Sequence, residues 1–350
     1  MEGQLPGVLA DPTQLHEPID LRGTTLEVLE PLMRGMVTIR IAERILAKAR
    51  EDGLIGGPVH LGVGQEGVAV GVSALLRKTD RIFGAHRSHS HVLALGSSPR
   101  KLFAEILGKD TGLSRGMGGS MHLWDEPNGF MGSVPIVAGT VPLAVGAAHA
   151  ERMKGTDNIG VSYLGDGACE EGAVHESMNL ARMLNAPVIF VVENNLFSSH
   201  MFIDLRQPSN MTARFAEAHR IPFEIVDGND VLAVKEASER LVAAARRGDG
   251  PGFLEAVTYR WYGHVDFRED IDVGVARSAK DVANWRARDP IGRLARAMAA
   301  AGFWSESDQQ ALEGEVRLAL ESDWEEALGD PYPEESALMD RVYSAGRTRG

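Results

Sequence analysis

The chain has 350 residues, 44% of them apolar and 24% charged, which is enough to bury one large core or two modest ones. A net charge of -13 argues against nucleic-acid and anionic-membrane binding, since both want clustered Lys and Arg. The single cysteine, Cys169, excludes an internal disulfide and a multi-cysteine metal site and fits a reducing compartment.

No apolar run approaches the roughly 20 residues of a membrane span. The acidic start, with Glu2, Asp11, Glu17 and Asp20, lacks the basic character of a secretory or transit segment, so the chain reads as cytoplasmic. Residues 1–25 are polar and rich in Pro and Gly, an arm that lies on another surface or is disordered. From Leu26 to Ala49, Leu29, Met33, Met36, Ile39, Ala42 and Leu46 recur at helical spacing. Val68 to Leu76 reads as a second helix, Ile82 to Ala85 as a short strand, and Arg100 to Leu107 as a helix. Leu113 to Val134 is Gly- and Met-rich without a clear period, a loop long enough to suggest function. Pro142 to Met153 follows as a helix of small residues.

Strands are then expected at Ile159–Leu164, Val188–Val192, Phe223–Val226 and Gly252–Thr258, and helices at Gly172–Leu184, Met211–His219 and Val231–Arg246. This β-α-β alternation with continuous apolar strands predicts an α/β fold: a doubly wound, mostly parallel sheet with helices on both faces. The α/β domain is expected over residues 26–275. Residues 276–350 read as a helical extension that packs on a partner subunit.

Gly165-Asp166-Gly167-Ala168 ends one predicted strand and Glu193-Asn194-Asn195 ends the next. Ligands bind at that edge of open α/β sheets. Gly167 and Ala168 can bring amides to a phosphate at a helix N-terminus, but Asp166 repels it unless a cation lies between. A carboxylate, the Asn195 amide oxygen, backbone carbonyls and phosphate make an oxygen-rich set suited to magnesium. Either motif alone is an ordinary turn. The two together, with one helix between, point to a metal-bridged phosphate.

These residues resemble the thiamine-diphosphate motif, and the chain from Leu26 onward resembles the alpha subunit of 2-oxo acid dehydrogenase decarboxylating components, the family acting on pyruvate, branched-chain 2-oxo acids and acetoin. Several ordered segments carry the resemblance. They are Val59-His60-Leu61 with Gly64-Gln65-Glu66, His86-Arg87-Ser88-His89, Gly118-Gly119-Ser120-Met121-His122, Val141-Pro142-Leu143 and Tyr259-Arg260-Trp261-Tyr262-Gly263-His264. The tail, Pro331-Tyr332-Pro333 and Val342-Tyr343, is also similar.

The resemblance implies that Asp166 and Asn195 bind Mg2+ through their side chains and Phe197 through its carbonyl. It implies that Gly165, Gly167 and Ala168 lie at the diphosphate of thiamine diphosphate, with Arg87, Arg260 and His264 contacting it. His86 stands where pyruvate enzymes have Tyr, His60 borders the substrate channel, and Ile136 and Val137 pack on the aminopyrimidine. His264 and His60 are the candidate catalytic residues. The implied reaction is decarboxylation of a small 2-oxo acid and transfer of the acyl group to lipoamide. The activating glutamate belongs to a separate beta subunit in an α2β2 assembly, with a lipoyl acyltransferase as a further partner.

Other readings compete. Gly62-Val63-Gly64-Gln65-Glu66-Gly67 matches a dinucleotide fingerprint literally, but no convincing strand precedes it. His86, His89 and His91 could suggest zinc, but their loop offers no carboxylate or cysteine partner. Cys169 lacks a sequence-evident base and reads as structural. Val265 follows His264 where animal pyruvate enzymes carry a phosphorylatable Ser, which argues against that kinase switch. Leu196 to Met201 departs from the pyruvate-enzyme pattern, so the substrate and acceptor stay open. A carboligase transferring the acyl group to an aldehyde, ketone or sugar intermediate keeps the same cofactor residues. A non-catalytic alpha-like subunit would have lost the metal residues.

Overall fold

Apolar segments too short to be helices pair side by side into one six-stranded parallel sheet. The computed structural model describes residues 6–265, 267–268, 271–272 and 275–337. The strands are β1 (Arg81–Gly84), β2 (Phe130–Ser133), β3 (Gly160–Gly165), β4 (Val188–Asn194), a small hairpin of β5 (Phe197–Ser198) and β6 (Met201–Phe202), β7 (Phe223–Asp227), β8 (Gly252–Val257) and a second small antiparallel pair, β9 (Ile271–Asp272) and β10 (Val275–Ala276). The sheet order is β2-β1-β3-β4-β8-β7, all pairs parallel.

The helices are α1 (Pro6–Ala10), α2 (Leu26–Glu51), α3 (Glu66–Ser73), α4 (His89–Ala94), α5 (Pro99–Ile106), α6 (Val141–Met153), α7 (Gly172–Leu184), α8 (Ala213–Ala218), α9 (Val231–Arg246), α10 (Ala279–Ala287), α11 (Pro290–Ala300) and α12 (Glu306–Gly329). Alternation along β4 shows how the sheet is covered on both sides. Val188, Phe190 and Val192 join one apolar cluster with Val145 of α6 and Met178 of α7. Ile189 and Val191 join a larger cluster with residues of α2, α3, α9 and α12. No helix among the described residues is long and apolar enough to cross a membrane.

The expected elements appear with shifted ends. The second helix runs Glu66–Ser73, so it starts two residues before the expected Val68 and ends three before Leu76. The long segment 113–134 contains an edge strand, β2, missed because its four residues pair with one neighbour only. α4 was also missed, because His and Ser hide the period. The arm residues lie on the chain's own body: Arg288 donates to Leu9 O (2.8 Å) and Arg293 to Glu17 O (2.9 Å). α12 packs against α5 and α2 of the same chain. Val342-Tyr343, Asp266, Glu269 and Asp270 lie outside the described residues.

Candidate functional site

The sheet order reverses direction between β1 and β3. The chain leaves β1 toward β2 on one side and leaves β3 toward β4 on the other, which opens a crevice at the carboxyl ends of both strands. A cavity of about 210 Å³ occupies that crevice. β1 delivers Ala85, His86 and Arg87 to it; β3 delivers Gly165, Asp166, Gly167 and Ala168; β4 delivers Glu193 and Asn195. His60, Val137, Phe197, Ser198 and His264 also line it.

β3 and β4 are directly paired, with Gly165 opposite Glu193, so Asp166 and Asn195 emerge side by side. Asp166 is 1% exposed. Burial raises its carboxyl above the ordinary carboxylate range, and Arg206 opposes that rise. Asn195 donates to Gln65 Oε1 (3.2 Å), and its own oxygen accepts from Phe197 N (3.2 Å). Gly167 fits under the hairpin because it has no side chain: an added Cβ would meet Ser198 Oγ at 2.3 Å. The turn around the seat is strained, with non-glycine residues at left-handed φ: Leu196 (68°), Ser199 (55°) and, across the cleft, Ala138 (61°). Such strain gathers where a site fixes its geometry.

On the opposite wall three imidazoles meet. The His60 and His86 ring centroids are 4.6 Å apart, His60 and His264 5.1 Å, and His86 and His264 5.3 Å. Their nitrogens lie within 4.8 Å of one another, a separation a transition metal could close. Electrostatics oppose that. Burial first, then the positive charge of Arg87, lowers all three; Arg260 adds to the effect on His86 and His264. His86 falls to about 3, His264 to about 2, and His60 lies far below its ordinary value. Burial and Arg87 favour the neutral imidazoles, the form that could ligate a metal, but the positive charges of Arg87 and Arg260 beside them suit anionic or polar oxygen better than a dication.

Two residues expected at the site do not line the cavity. Arg260 is buried behind it, donating to Ser199 O (2.6 Å) and Tyr262 O (2.7 Å). Ile136 is 72% exposed, while its neighbour Val137 faces the cleft. Arg87 donates to Leu61 O (2.6 Å) and approaches His264 Nδ1 (3.4 Å).

His86 and His91 both line the cavity, but His86 gathers with His60 and His264, His91 faces Glu193 and His89 faces Glu43, so the three form no joint site. Unlike the expectation from their own loop, two find carboxylates on other elements. His89 Nδ1 lies 3.4 Å from Glu43 and its Nε2 2.9 Å from Ser120 Oγ. His91 lies 3.3 Å from Glu193 and stacks on Tyr163 at 3.8 Å. His91, Glu193, Tyr163 and Gln65 also line the cavity. The sequence named Glu193 at a strand end and Gln65 in a family segment but gave none of the four a role in the cleft, because only tertiary packing brings them together there. The Gly62–Gly67 stretch is a loop and a helix start with no preceding strand, as expected. Cys169 is buried near Gly165 O (3.6 Å), and burial raises its thiol well above the usual value, leaving it un-ionised.

A family model described as the dehydrogenase E1 component matches residues 33–336. The alpha subunit of the pyruvate dehydrogenase E1 component of Rhizobium meliloti (strain 1021) is 37% identical over 310 residues, covering 88% of each chain. The alpha subunit of acetoin:2,6-dichlorophenolindophenol oxidoreductase of Bacillus subtilis (strain 168) is 37% identical over 320 residues, 89% of this chain and 92% of that one. The chloroplastic pyruvate dehydrogenase E1 component subunit alpha-3 of Oryza sativa subsp. japonica is 34% identical over 351 residues, 97% of this chain and 80% of the relative.

Proposed function

The chain belongs to the dehydrogenase E1 component family, and from that premise we propose that it is the alpha subunit of a thiamine-diphosphate- and Mg2+-dependent enzyme that decarboxylates a pyruvate-like 2-oxo acid and passes the acyl group to lipoamide or another acceptor. The observation that carries this reading is the meeting of Asp166 and Asn195 at adjacent strand ends on one cleft. A buried carboxylate, an amide oxygen and a glycine with no room for a Cβ are a donor set and cradle that fit a magnesium diphosphate.

In this reading Asp166, Asn195 and the Phe197 carbonyl hold the metal. The Gly165–Ala168 turn approaches the diphosphate with its amides. Thiamine diphosphate, when bound, supplies the carbanion and electron sink for decarboxylation. Arg87, and Arg260 after it turns from Ser199 O, offset the diphosphate charge. His60 and His264, uncharged, orient the 2-oxo acid by hydrogen bonds, with Val137 and Ile136 toward the aminopyrimidine.

The activating glutamate comes from the beta subunit. Leu143 (55% exposed) on α6, Leu180 (50%) and Met183 (77%) on α7, and Ile136 near the cleft mouth leave apolar surface that suits such a partner. This reading divides the chain into an arm (1–25), a cofactor-binding domain (26–275) and a helical extension (276–350) that also meets the partner. It assigns the complex to the cytoplasm and allows a lipoyl acyltransferase as acceptor-bearing partner.

A second reading, acyl transfer to an aldehyde or ketone, is favoured by one feature. The three imidazoles make a polar wall where a small alkyl substrate needs little polarity.

Co-purification with the beta subunit tests the proposal. We expect turnover of a 2-oxo acid with an artificial electron acceptor in the complex and little in the chain alone. An isolated chain as active as the complex refutes the shared site. Asp166→Ala should lower activity at least about 100-fold at fixed Mg2+, beyond the effect typical of residues one step removed from a metal. Full activity of that variant would instead favour a non-catalytic alpha-like role. Faster product formation with added aldehydes than with the electron acceptor would favour the second reading.

A further inference from the structure

Arg206 is the one cation in direct contact with the Asp166 carboxylate among the described residues. It follows the short turn Ile203–Leu205 after the hairpin, and its side chain is 7% exposed. Its guanidinium pairs with Asp166 Oδ2 and with Glu170 Oε1, and its Nε donates to Met201 O (3.3 Å). The next residue closes the same lock: Gln207 Nε2 donates to Asp166 O (3.2 Å) and to Glu170 Oε1 (2.6 Å). Arg214 in turn donates to Gln207 Oε1 (3.1 Å).

A carboxylate this buried is unstable without a counter-charge. A divalent cation that reaches Asp166 therefore meets a guanidinium already in place, and two cations on one buried carboxylate repel.

We propose that Arg206 is a further member of the cation seat: a built-in counter-cation that fills it in the cofactor-free chain and that Mg2+ has to displace, so the seat takes Mg2+ together with the diphosphate and resists Mg2+ alone. The inference rests on the reading of Asp166 and Asn195 as metal ligands. The diphosphate matters because it brings the negative charge that offsets both the incoming metal and the displaced guanidinium. Arg206 thereby couples metal and cofactor binding, and the coupling is reciprocal.

The test uses the cofactor-free complex with its beta subunit and reads binding. Mg2+ alone is titrated by calorimetry, and thiamine diphosphate is titrated by tryptophan fluorescence with and without Mg2+. Arg206→Met should bind Mg2+ alone about tenfold more tightly than wild type, a change of roughly 1.4 kcal/mol. The gain in thiamine diphosphate affinity on adding Mg2+ should shrink accordingly. Arg206→Lys, which keeps the charge, should stay near wild type. On the wild-type complex, adding Mg2+ and thiamine diphosphate should speed hydrogen exchange over residues 201–207 as the lock opens; this holds even if the Met variant fails to fold.

Unchanged Mg2+ affinity in Arg206→Met, or slower exchange over 201–207, with wild type binding Mg2+ and thiamine diphosphate normally, overturns the role of Arg206 alone. Absence of any Mg2+-dependent cofactor binding in wild type overturns the metal seat itself and this inference with it.

Discussion

Three imidazoles on one wall of the cleft carry a pH signature. The pKa values of His60, His86 and His264 are depressed by burial and by Arg87, so the unfolded chain binds protons that the folded chain refuses. Stability rises with pH wherever the unfolded state holds more protons. The contribution is therefore full above the ordinary imidazole value of about 6.5. It is lost as pH falls toward the folded values, about 3 for His86 and about 2 for His264. Urea midpoints of the chain should fall between pH 7 and pH 5, and His86→Phe should flatten that dependence. An equal slope in wild type and variant would mean that His86 takes up its proton in the folded chain as readily as in the unfolded one. The imidazoles themselves were legible from their neighbours in sequence. Their shared protonation state was not, since it depends on Arg87 and on burial.

Among the elements, the loop between His60 and α3 shows how the site is held from behind. The Glu43 carboxylate on α2 accepts from Gly62 N at 2.9 and 2.8 Å, and Glu66 accepts from Gly64 N at 3.1 Å. Trp261 N donates to Val63 O (2.8 Å), which ties this loop to the segment bearing Arg260 and His264. Gly64 lies at φ +100°, and a Cβ there would meet the Trp261 ring and Tyr259 O at 2.6 Å. Gly64→Ala should cost about 1–3 kcal/mol from backbone strain alone. It should also weaken cofactor binding by pushing the two loops apart, checked by urea denaturation and cofactor titration.

Glu66 is 0% exposed and paired with Arg40, which also bonds Asp289 at 2.7 Å. Arg40→Met leaves that carboxylate buried without its cation and should cost about 3–5 kcal/mol. Arg40→Met combined with Glu66→Gln should recover part of the loss. Gly64-Gln65-Glu66 was noticed in the sequence as one of the segments that carry the family resemblance, but its clamp is formed by Arg40 and Glu43 of α2 and by Asp289, which caps α11, residues distant in the chain.

On the scale of the whole molecule, the arm and the exposed helix face define how the chain meets its surroundings. Asp227 pairs with Arg288 (3.0 Å) and Arg293 (2.6 Å), and both arginines also hold arm carbonyls. Removing residues 1–22 should lower the thermal midpoint by several degrees, since it strips Arg288 and Arg293 of their arm acceptors and takes the buried Leu9 and Ile19 off the core they cover. Leu143→Glu with Met183→Glu, on the α6–α7 face, should abolish assembly with the beta subunit while leaving the circular dichroism of the chain unchanged. Assembly at wild-type strength would move the interface elsewhere.

The sequence by itself determined the α/β class, the parallel sheet, most elements and the family, because apolar periodicity and short motifs are local properties of the chain. The order in which strands pair is not local, and the tertiary structure decided it. That order opened the crevice between β1 and β3, set Asp166 beside Asn195, gathered His60, His86 and His264 from three distant segments, and brought Arg206, a residue without any sequence signal, onto the Asp166 carboxylate.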